Sequence, residues 1–257
     1  MTEAASSIAE QAPPAAAAPL SWARSRLFEF FILVWSLLFG LSIVVLFHHI
    51  KTPKLVRRIL WTWCQGFIHS ARLLCGVKWR IEGGENVPDG PVIYVGNHQA
   101  YWESIGFCAF VPDICVIAKA QTMKMPVFGW GLRHAPMPPV ERDRPGGNLR
   151  RILRDTKAAV DQGRDLLLFP EGTRVLPGKR QPYQRGLELV YRNCDIPIVP
   201  FVHNSGLLWP KGFGTKQAGT ITVKFLPPIQ PGGDPIETVR KLERLLNTEK
   251  DALLESR

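Results

Sequence analysis

Residues 92–103 read VIYVGNHQAYWE, a short apolar run followed directly by polar and aromatic residues. The first five residues are rich in β-branched side chains and are typical of a strand buried on both faces of a sheet. The polar residues then lie beyond the carboxyl end of that strand, where open α/β sheets form their functional sites. The stretch therefore predicts a buried strand that leads to a candidate functional histidine, His98.

Similar apolar runs and helical patterns alternate along the rest of the chain. Further strands are predicted over 115–119, 165–169, 196–202 and 220–225, and helices over about 103–111, 148–162, 184–193 and 235–254. Strands that alternate with helices predict an α/β fold with a mixed, mostly parallel sheet flanked by helices on both faces. We assign this α/β domain to residues 78–257.

Two segments precede this domain. Residues 1–21 are rich in Ala and Pro and predict a disordered arm. Residues 22–77 predict a membrane-embedded hydrophobic helix plus an amphipathic interfacial helix. The uncharged run at 30–47, FFILVWSLLFGLSIVVLF, spans roughly 27 Å as a helix, close to the bilayer hydrocarbon thickness of about 30 Å. A wholly buried core helix is the alternative.

The basic residues are concentrated directly after the apolar run. Residues 51–81 contain Lys and Arg but no acidic residue, with apolar residues at helical spacing. A basic amphipathic helix fits an anionic lipid surface, and this charge asymmetry predicts that the following domain is cytoplasmic. A re-entrant helix pair in one leaflet is the alternative and also places both ends on the cytoplasmic side.

The composition excludes several classes of protein. The net charge of +10 indicates binding to an anionic membrane surface rather than to nucleic acid. The basic residues adjoin the apolar run, and no nucleic-acid-binding signature occurs in the sequence. Five cysteines form no CxxC pair and leave one over, which argues against a disulfide framework or a zinc ribbon. We therefore expect a membrane partner, no nucleic acid and no metal.

His98 has a carboxylate five residues further on, at Glu103. Such a carboxylate can accept the Nδ1 proton of the imidazole, fix its tautomer and leave Nε2 free as a base. Residues five apart lie about 140° apart around a helix, so the two can meet only if His98 lies in a loop and Glu103 in the first helical turn. Pairs at this spacing also arise by chance, so the pair alone is a weak signal.

A second candidate segment, FPEGTR at 169–174, also follows an apolar strand. It supplies Glu171, Gly172, Thr173 and Arg174. The Arg174 guanidinium can bind a phosphate through two hydrogen bonds, with backbone and Thr173 donors adding to it. Because a carboxylate repels phosphate, we assign Glu171 to a glycerol hydroxyl or to bracing Arg174. An ordinary turn with a solvated arginine explains this segment equally well when it is taken alone.

Together the two segments resemble the glycerolipid acyltransferase family, and in particular its bacterial 1-acyl-sn-glycerol-3-phosphate acyltransferases. That family carries an Asn-His-(x4)-Asp block and a later Phe-Pro-Glu-Gly-Thr-Arg block. Residues 119–142 and 196–206 are similar to its two supporting blocks. The resemblance covers about residues 80–230 and implies a glycerol-3-phosphate acyltransferase-like fold, preceded here by the N-terminal membrane helices.

The resemblance implies an O-acyl transfer in phospholipid biosynthesis. His98, oriented by Glu103, would deprotonate the sn-2 hydroxyl of lysophosphatidic acid, which attacks the thioester of acyl-CoA or acyl-carrier protein and gives phosphatidic acid. The four residues 171–174 would hold the acceptor phosphate, with Arg142 and Lys119 as further substrate-binding residues. No metal or redox cofactor is implied. The implied location is the bacterial inner membrane, with the catalytic domain on its cytoplasmic face.

The sequence departs from the family pattern in three places. Glu103 stands where the family most often has Asp, residues 183–186 replace a segment that usually carries Lys, and residues 135–139 are rich in Pro just before Arg142. Three alternative functions follow from the same residues. They are acyl transfer to another lysolipid such as lyso-ornithine lipid, non-catalytic lipid binding by a membrane-anchored protein, and thioester hydrolysis by water.

Overall fold

The computed structural model describes residues 19–46, 52–124, 128–140, 149–210 and 214–255. The helices are α1 (Pro19–Leu46), α2 (Pro53–Cys75), α3 (Trp102–Phe110), α4 (Phe128–His134), α5 (Leu149–Val160), α6 (Gly186–Cys194), α7 (Ser205–Leu208) and α8 (Pro235–Glu255). The strands are β1 (Val77–Glu82), β2 (Ile93–Gly96), β3 (Cys115–Val116), β4 (Ala118–Lys119), β5 (Pro139–Val140), β6 (Leu166–Leu168), β7 (Ile198–His203) and β8 (Gly219–Phe225). Short 3₁₀ turns cover Gly84–Asn86 and Ala120–Lys124.

The main sheet is mixed and mostly parallel, as the sequence predicts. Its strand order is β1-β8-β7-β2-β6-β3. The pair β7 and β8 is antiparallel, whereas the other neighbouring strands run parallel. Because β2, β6 and β7 are parallel neighbours, their carboxyl ends meet at one edge of the sheet.

Helices cover both faces of this sheet, which confirms the predicted layers. In β2, Ile93 and Val95 face a core shared with α5, α6 and α8, whereas Tyr94 faces a core shared with α2 and α3. Strands buried on both faces read as continuous apolar runs, because neither face meets water. Burying each large aliphatic side chain contributes roughly 1.5–3 kcal/mol, so both layers stabilise the strand that leads to His98.

The short elements α4, α7 and β5 were not predicted, and two strands of the main sheet also differ from the sequence predictions. The predicted strand at 115–119 is divided into β3, at the edge of the main sheet, and β4, which pairs with β5 in a separate sheet. The strand β1 was not predicted, because its exposed Lys78 and Arg80 continue the basic pattern of the preceding segment. Charged side chains of this kind are common on edge strands such as β1, where they discourage further pairing.

The helix expected within the basic stretch is α2, and it is amphipathic. It ends at Cys75, within the segment 22–77 to which it was assigned, because Gly76 adopts a left-handed φ of 70° and its N–H donates to the carbonyl of Arg72 at 3.1 Å. The buried face of α2 includes Phe67, Ile68 and Ala71 and packs into the core beside α3. The boundary at residues 77/78 and the interfacial position of α2 stay predictions.

The helix α1 exposes much of its apolar surface. The exposed fractions are 65% for Phe30, 57% for Leu33, 62% for Leu37 and 61% for Leu41. Residues 21–42 are long and apolar enough to cross a membrane, and only 17% of the most apolar window is buried. This exposure excludes the alternative of a wholly buried core helix. The predicted arm at 1–21 lies outside the described residues, except for 19–21, which begin α1.

The first turns of α1 are nevertheless attached to the body. The Arg24 side chain donates to the carbonyl of Leu74 at 2.7 Å, and Ser25 Oγ accepts the backbone N–H of Lys216 at 2.9 Å. The Lys216 side chain is only 3% exposed and forms an ion pair with Glu29. A buried cation that loses its partner is strongly destabilising, so this pair holds α1 against the segment that follows α7.

Candidate active site

The site lies at the edge where the carboxyl ends of β2, β6 and β7 meet. The strand β2 ends at Gly96, where an added Cβ would lie 2.4 Å from the ring of Phe201, so only glycine fits this approach to β7. Asn97 follows and exchanges hydrogen bonds with the backbone of His203, each of 3.2 Å. These contacts hold the loop that carries His98 against the end of β7.

His98 and Glu103 meet as the spacing requires. His98 lies in the loop and Glu103 in the first turn of α3, and His98 Nδ1 is 2.7 Å from Glu103 Oε1. Glu103 is fully buried and accepts the backbone N–H groups of Gln99 and Ala100, both at 2.8 Å, and the hydroxyl of Ser205 at 2.8 Å. Both oxygens of the Glu103 carboxylate therefore accept hydrogen bonds from the protein.

Several groups influence the pKa of Glu103. Burial alone raises that pKa, but the hydrogen bonds that the carboxylate accepts, among them the one from His98, lower it, and the result lies below the ordinary value of the group. Glu103 is thus ionised at neutral pH and can only accept hydrogen bonds. His98 Nδ1 must therefore carry the proton between them, and in the neutral imidazole this leaves Nε2 without a proton and able to act as a base.

The imidazole of His98 is held from a second direction by the FPEGTR segment. The ring stacks on Phe169, with centroids 4.5 Å apart and planes inclined by 19°. The backbone N–H of Val175 donates to the carbonyl of His98 at 2.7 Å. The side chain of His98 stays 17% exposed, so the ring reaches solvent although its orientation is fixed.

The structure gives Glu171 a partner that the sequence did not predict. Its Oε2 accepts the backbone N–H of His98 at 2.9 Å, so this carboxylate joins the two segments rather than bracing Arg174. Among the described residues Arg174 forms no ion pair with it. Burial raises the pKa of Glu171 to about 7, because the ionised form loses hydration there.

The turn that follows presents the remaining residues of the segment. Gly172 has a left-handed φ of 64°, and its N–H donates to the carbonyl of Phe169 at 3.0 Å. Left-handed φ strains residues with a Cβ, which explains a glycine here. Within the described parts of the chain, the Thr173 hydroxyl forms no hydrogen bond.

Arg174 is placed to bind an anion. Its guanidinium lies over the ring of Tyr101, with Cζ 3.9 Å from the ring centroid. Arg174 Nη1 is buried and has no hydrogen-bond partner among the residues that the structure describes. Buried donors in folded proteins nearly always have partners, so this donor is available to an anionic group that binds next to Tyr101, three residues after His98.

The other two predicted substrate-binding residues are placed differently. Lys119 lies exposed in β4, within the small sheet, and takes part in none of the contacts described above. Arg142 lies outside the described residues. The structure thus brings His98, Glu103 and residues 171–174 together, and the roles of Lys119 and Arg142 stay predictions.

Sequence reasoning missed Ser205 and Tyr101, which contact Glu103 and Arg174. Tyr101 lies between the two predicted residues of the first segment, so its proximity could have been found there. Ser205 follows β7, which is a parallel neighbour of β2, and that order of strands was the signal that could have identified it.

Known proteins share this architecture. Residues 78–204 match the model of the family described as Acyltransferase. A 1-acyl-sn-glycerol-3-phosphate acyltransferase from Pseudomonas aeruginosa is 28% identical over 188 residues, which cover 73% of each chain. One from Saccharomyces cerevisiae is 26% identical over 174 residues, which cover 66% of this chain and 57% of the yeast protein.

A solved structure has the same fold. The crystal structure of the 1-acyl-sn-glycerophosphate (LPA) acyltransferase PlsC from Thermotoga maritima matches with a TM-score of 0.72 at 24% identity, covering 92% of this chain and 98% of that chain. The fold is therefore the PlsC-like arrangement of a mostly parallel sheet between helices. Residues 78–204 therefore form an acyltransferase-family domain, which confirms the resemblance drawn from the sequence.

Proposed function

We propose that the protein transfers an acyl chain from a thioester donor to the sn-2 hydroxyl of 1-acyl-sn-glycerol-3-phosphate and so makes phosphatidic acid. The observation that carries the proposal is a histidine with a fixed tautomer beside an arginine that has an available buried donor. A base and an anion-binding group at one edge of a sheet fit an acceptor that has both a hydroxyl and a phosphate. The names of the relatives point to the same reaction.

In the proposed reaction His98 moves one proton. Its Nε2 takes the proton from the sn-2 hydroxyl as that oxygen attacks the thioester carbonyl carbon. The carbon–sulfur bond then breaks, and the thiolate leaves with the proton returned from Nε2. No acyl-enzyme is formed. Glu103 stays ionised throughout and stabilises the imidazolium that forms between the two steps.

The phosphate of the acceptor would be bound by Arg174, with Thr173 as a neutral donor. Tyr101 holds the guanidinium from one side, which leaves its edges free for the two parallel hydrogen bonds that arginine makes to phosphate. Arg142 and Lys119 are further proposed contacts to substrate. The reaction needs no cofactor beyond the donor, which is acyl-CoA or acyl-carrier protein.

Both the acceptor and the product carry acyl chains, so the reaction belongs at a membrane. The exposed apolar surface of α1 supports membrane attachment of this chain. We place the catalytic domain on the cytoplasmic face of a bacterial inner membrane, with the basic residues of α2 facing anionic lipid. The exposed surface fits either a span by α1 or a re-entrant position in one leaflet. The contacts of the first turns of α1 and of α2 with the same body favour the re-entrant position, because a span would separate them.

The alternative functions are less well supported. Lyso-ornithine lipid has no phosphate, so Arg174 would have only its carboxylate to bind, and the names of the relatives point to a phosphate-bearing acceptor. A non-catalytic lipid-binding protein has no need of the fixed His98 tautomer. A thioesterase would need no phosphate-binding arginine beside the base.

One assay distinguishes these functions. Purified protein in mixed micelles receives a labelled acyl thioester with lysophosphatidic acid, with lyso-ornithine lipid, or with no acceptor. We expect labelled phosphatidic acid in the first reaction alone. Thiol release without acceptor would indicate a thioesterase, and no turnover at all would contradict an enzyme.

Variants at Glu103 serve as the catalytic control. Glu103→Gln should reduce kcat at least about 100-fold, because a neutral amide no longer stabilises the imidazolium. Glu103→Asp keeps the charge and should retain measurable turnover. Equal activity of the Gln variant and wild type would remove the proposed pair.

A further inference from the structure

Ser205 contacts the buried carboxylate of Glu103 from another part of the chain. It is the first residue of α7, is fully buried, and follows β7 at the same edge of the sheet. Its Oγ donates to Glu103 Oε2 at 2.8 Å. Ser205 also lies just beyond residues 78–204, where the family match ends.

The donors to Glu103 are divided unequally between its two oxygens. Oε1 receives His98 Nδ1 and the backbone N–H groups of Gln99 and Ala100, at 2.7 to 2.8 Å. Oε2 receives the Ser205 hydroxyl at 2.8 Å and a longer contact of 3.1 Å from the N–H of Ala100. The terminal torsion of a glutamate has a broad preference, so its plane is fixed only by donors to both oxygens. Ser205 supplies the stronger donor to Oε2.

Ser205 is itself held in place by buried groups. Its backbone N–H donates to His203 Nδ1 at 3.3 Å, and His203 Nε2 donates to the carbonyl of Asn97 at 2.7 Å. Burial lowers the pKa of His203, so its ring stays neutral and can make one bond as acceptor and one as donor. A chain of buried hydrogen bonds therefore runs from the loop of His98 through β7 to Ser205 and back to Glu103.

We propose that Ser205 is a positioning residue that fixes the plane of the Glu103 carboxylate and thereby the direction in which His98 presents Nε2. The inference rests on the proposed function only in naming the reaction. Ser205 touches no reacting atom and acts through Glu103. Its loss should slow the chemical step without weakening substrate binding.

The kinetic test compares two single-atom deletions. Ser205→Ala removes the donor to Glu103. The control Ser70→Ala removes a buried hydroxyl that donates to the carbonyl of Phe67 in α2, away from the site. We expect Ser205→Ala to lower kcat about 10-fold or more with KM for both substrates within about 2-fold, because a hydrogen bond to a charged group contributes that much. Ser70→Ala should leave both constants unchanged. An unchanged kcat in Ser205→Ala would overturn the inference.

A second variant guards against misfolding. Ser205→Cys is close in size to serine, so the core stays filled, but its thiol is a weak donor. It should remain folded at the assay temperature and still lose kcat. Full activity of a folded Ser205→Cys variant would also overturn the positioning role.

A spectroscopic readout separates this inference from the proposed function. The proton between His98 Nδ1 and Glu103 should give a far-downfield proton resonance in the wild-type protein. That resonance should move or broaden in Ser205→Ala and stay unchanged in Ser70→Ala. An identical resonance in all three proteins would overturn the inference, whereas absence of phosphatidic acid synthesis would contradict only the function.

Discussion

At the scale of single residues, Arg174 is the group whose removal should change acceptor binding most. Arg174→Gln keeps a polar side chain but removes the charge. We expect KM for lysophosphatidic acid to rise at least about 10-fold with a smaller change in kcat, because a charged hydrogen bond to phosphate contributes roughly 1.5–3 kcal/mol. Initial rates at varied acceptor concentration measure this.

The matched control is Arg240→Gln, which removes an exposed guanidinium on α8. This variant should have the kinetic constants of wild type. If both arginine variants bind the acceptor as wild type does, the phosphate is held by other residues.

Glu171 makes stability depend on pH in a defined direction. Its pKa is raised from 4.5 to about 7 by burial, so the folded protein prefers the protonated form. The stabilisation from this preference is fully present below pH 4.5 and is lost as pH rises to about 7. We expect Glu171→Gln to gain stability relative to wild type across that interval, by up to about 3 kcal/mol. Thermal or denaturant unfolding at a series of pH values measures the difference.

The control for this measurement is Glu85→Gln, at an exposed position before β2. The difference in unfolding free energy between this variant and wild type should not vary from about pH 4 to about pH 8, a range that contains the transition of Glu171. If the unfolding free energy of Glu171→Gln changed with pH in parallel with that of wild type, the raised pKa of Glu171 would be contradicted.

Local spacing was sufficient to predict the His98 and Glu103 pair. A spacing of five residues fits one residue in a loop and the other in the first turn of a helix, and both residues lie in the single segment 92–103. The contact of Glu171 with the His98 backbone was not predictable, because the sequence shows a carboxylate but not which N–H group it will face. Ser205 lies 102 residues from Glu103, and only the order of the strands brings them together.

At the scale of secondary-structure elements, the junction of β2 and its loop depends on Gly96. Gly96→Ala would place a methyl group 2.4 Å from the Phe201 ring, so a core side chain or the strand must move. Overpacking of this kind costs about 1–3 kcal/mol. We expect a lower midpoint of urea unfolding and a loss of activity, because the displaced loop carries His98.

Gly186→Ala is the control, because an added Cβ at the start of α6 meets no atom within 4 Å. Alanine favours helix over glycine, so this variant should be as stable as wild type or slightly more so. Equal destabilisation by both substitutions would show that the close contact at Gly96 is unimportant.

The accuracy of the predicted elements followed from how completely each is buried. The strands β2, β6 and β7 lie in the middle of the sheet, and their uninterrupted apolar runs were recognised. The edge strand β1 alternates apolar and basic residues and was read with the helix before it. The run at 115–119 has strand composition throughout, and nothing in it marks the point where the chain leaves one sheet for another.

At the scale of the whole molecule, membrane attachment should depend on the exposed face of α1. We expect Leu33→Ser with Leu37→Ser to reduce partition into anionic lipid vesicles at least about 10-fold, since each leucine buried in lipid contributes roughly 2 kcal/mol. Vesicle co-sedimentation measures this. The matched control is Ile81→Ser with Ile236→Ser, which removes two apolar side chains exposed on the body by 45% and 49%.

Equal partition of the two double variants would contradict a specific role of α1. The composition of α1 was enough to predict this apolar helix. Its attachment to the body was not predictable, because Lys216 and Glu29 are 187 residues apart and each resembles an ordinary surface charge.

That attachment limits how the molecule can sit on lipid. The first turns of α1 contact the chain segment next to α7, and α7 begins with Ser205, which donates to the Glu103 carboxylate. These contacts fix the orientation of the first turns of α1 relative to the body. The spacing between the proposed site and the exposed apolar face of α1 is thus fixed, so a lipid surface that binds this face would also set the depth at which the site meets its substrates.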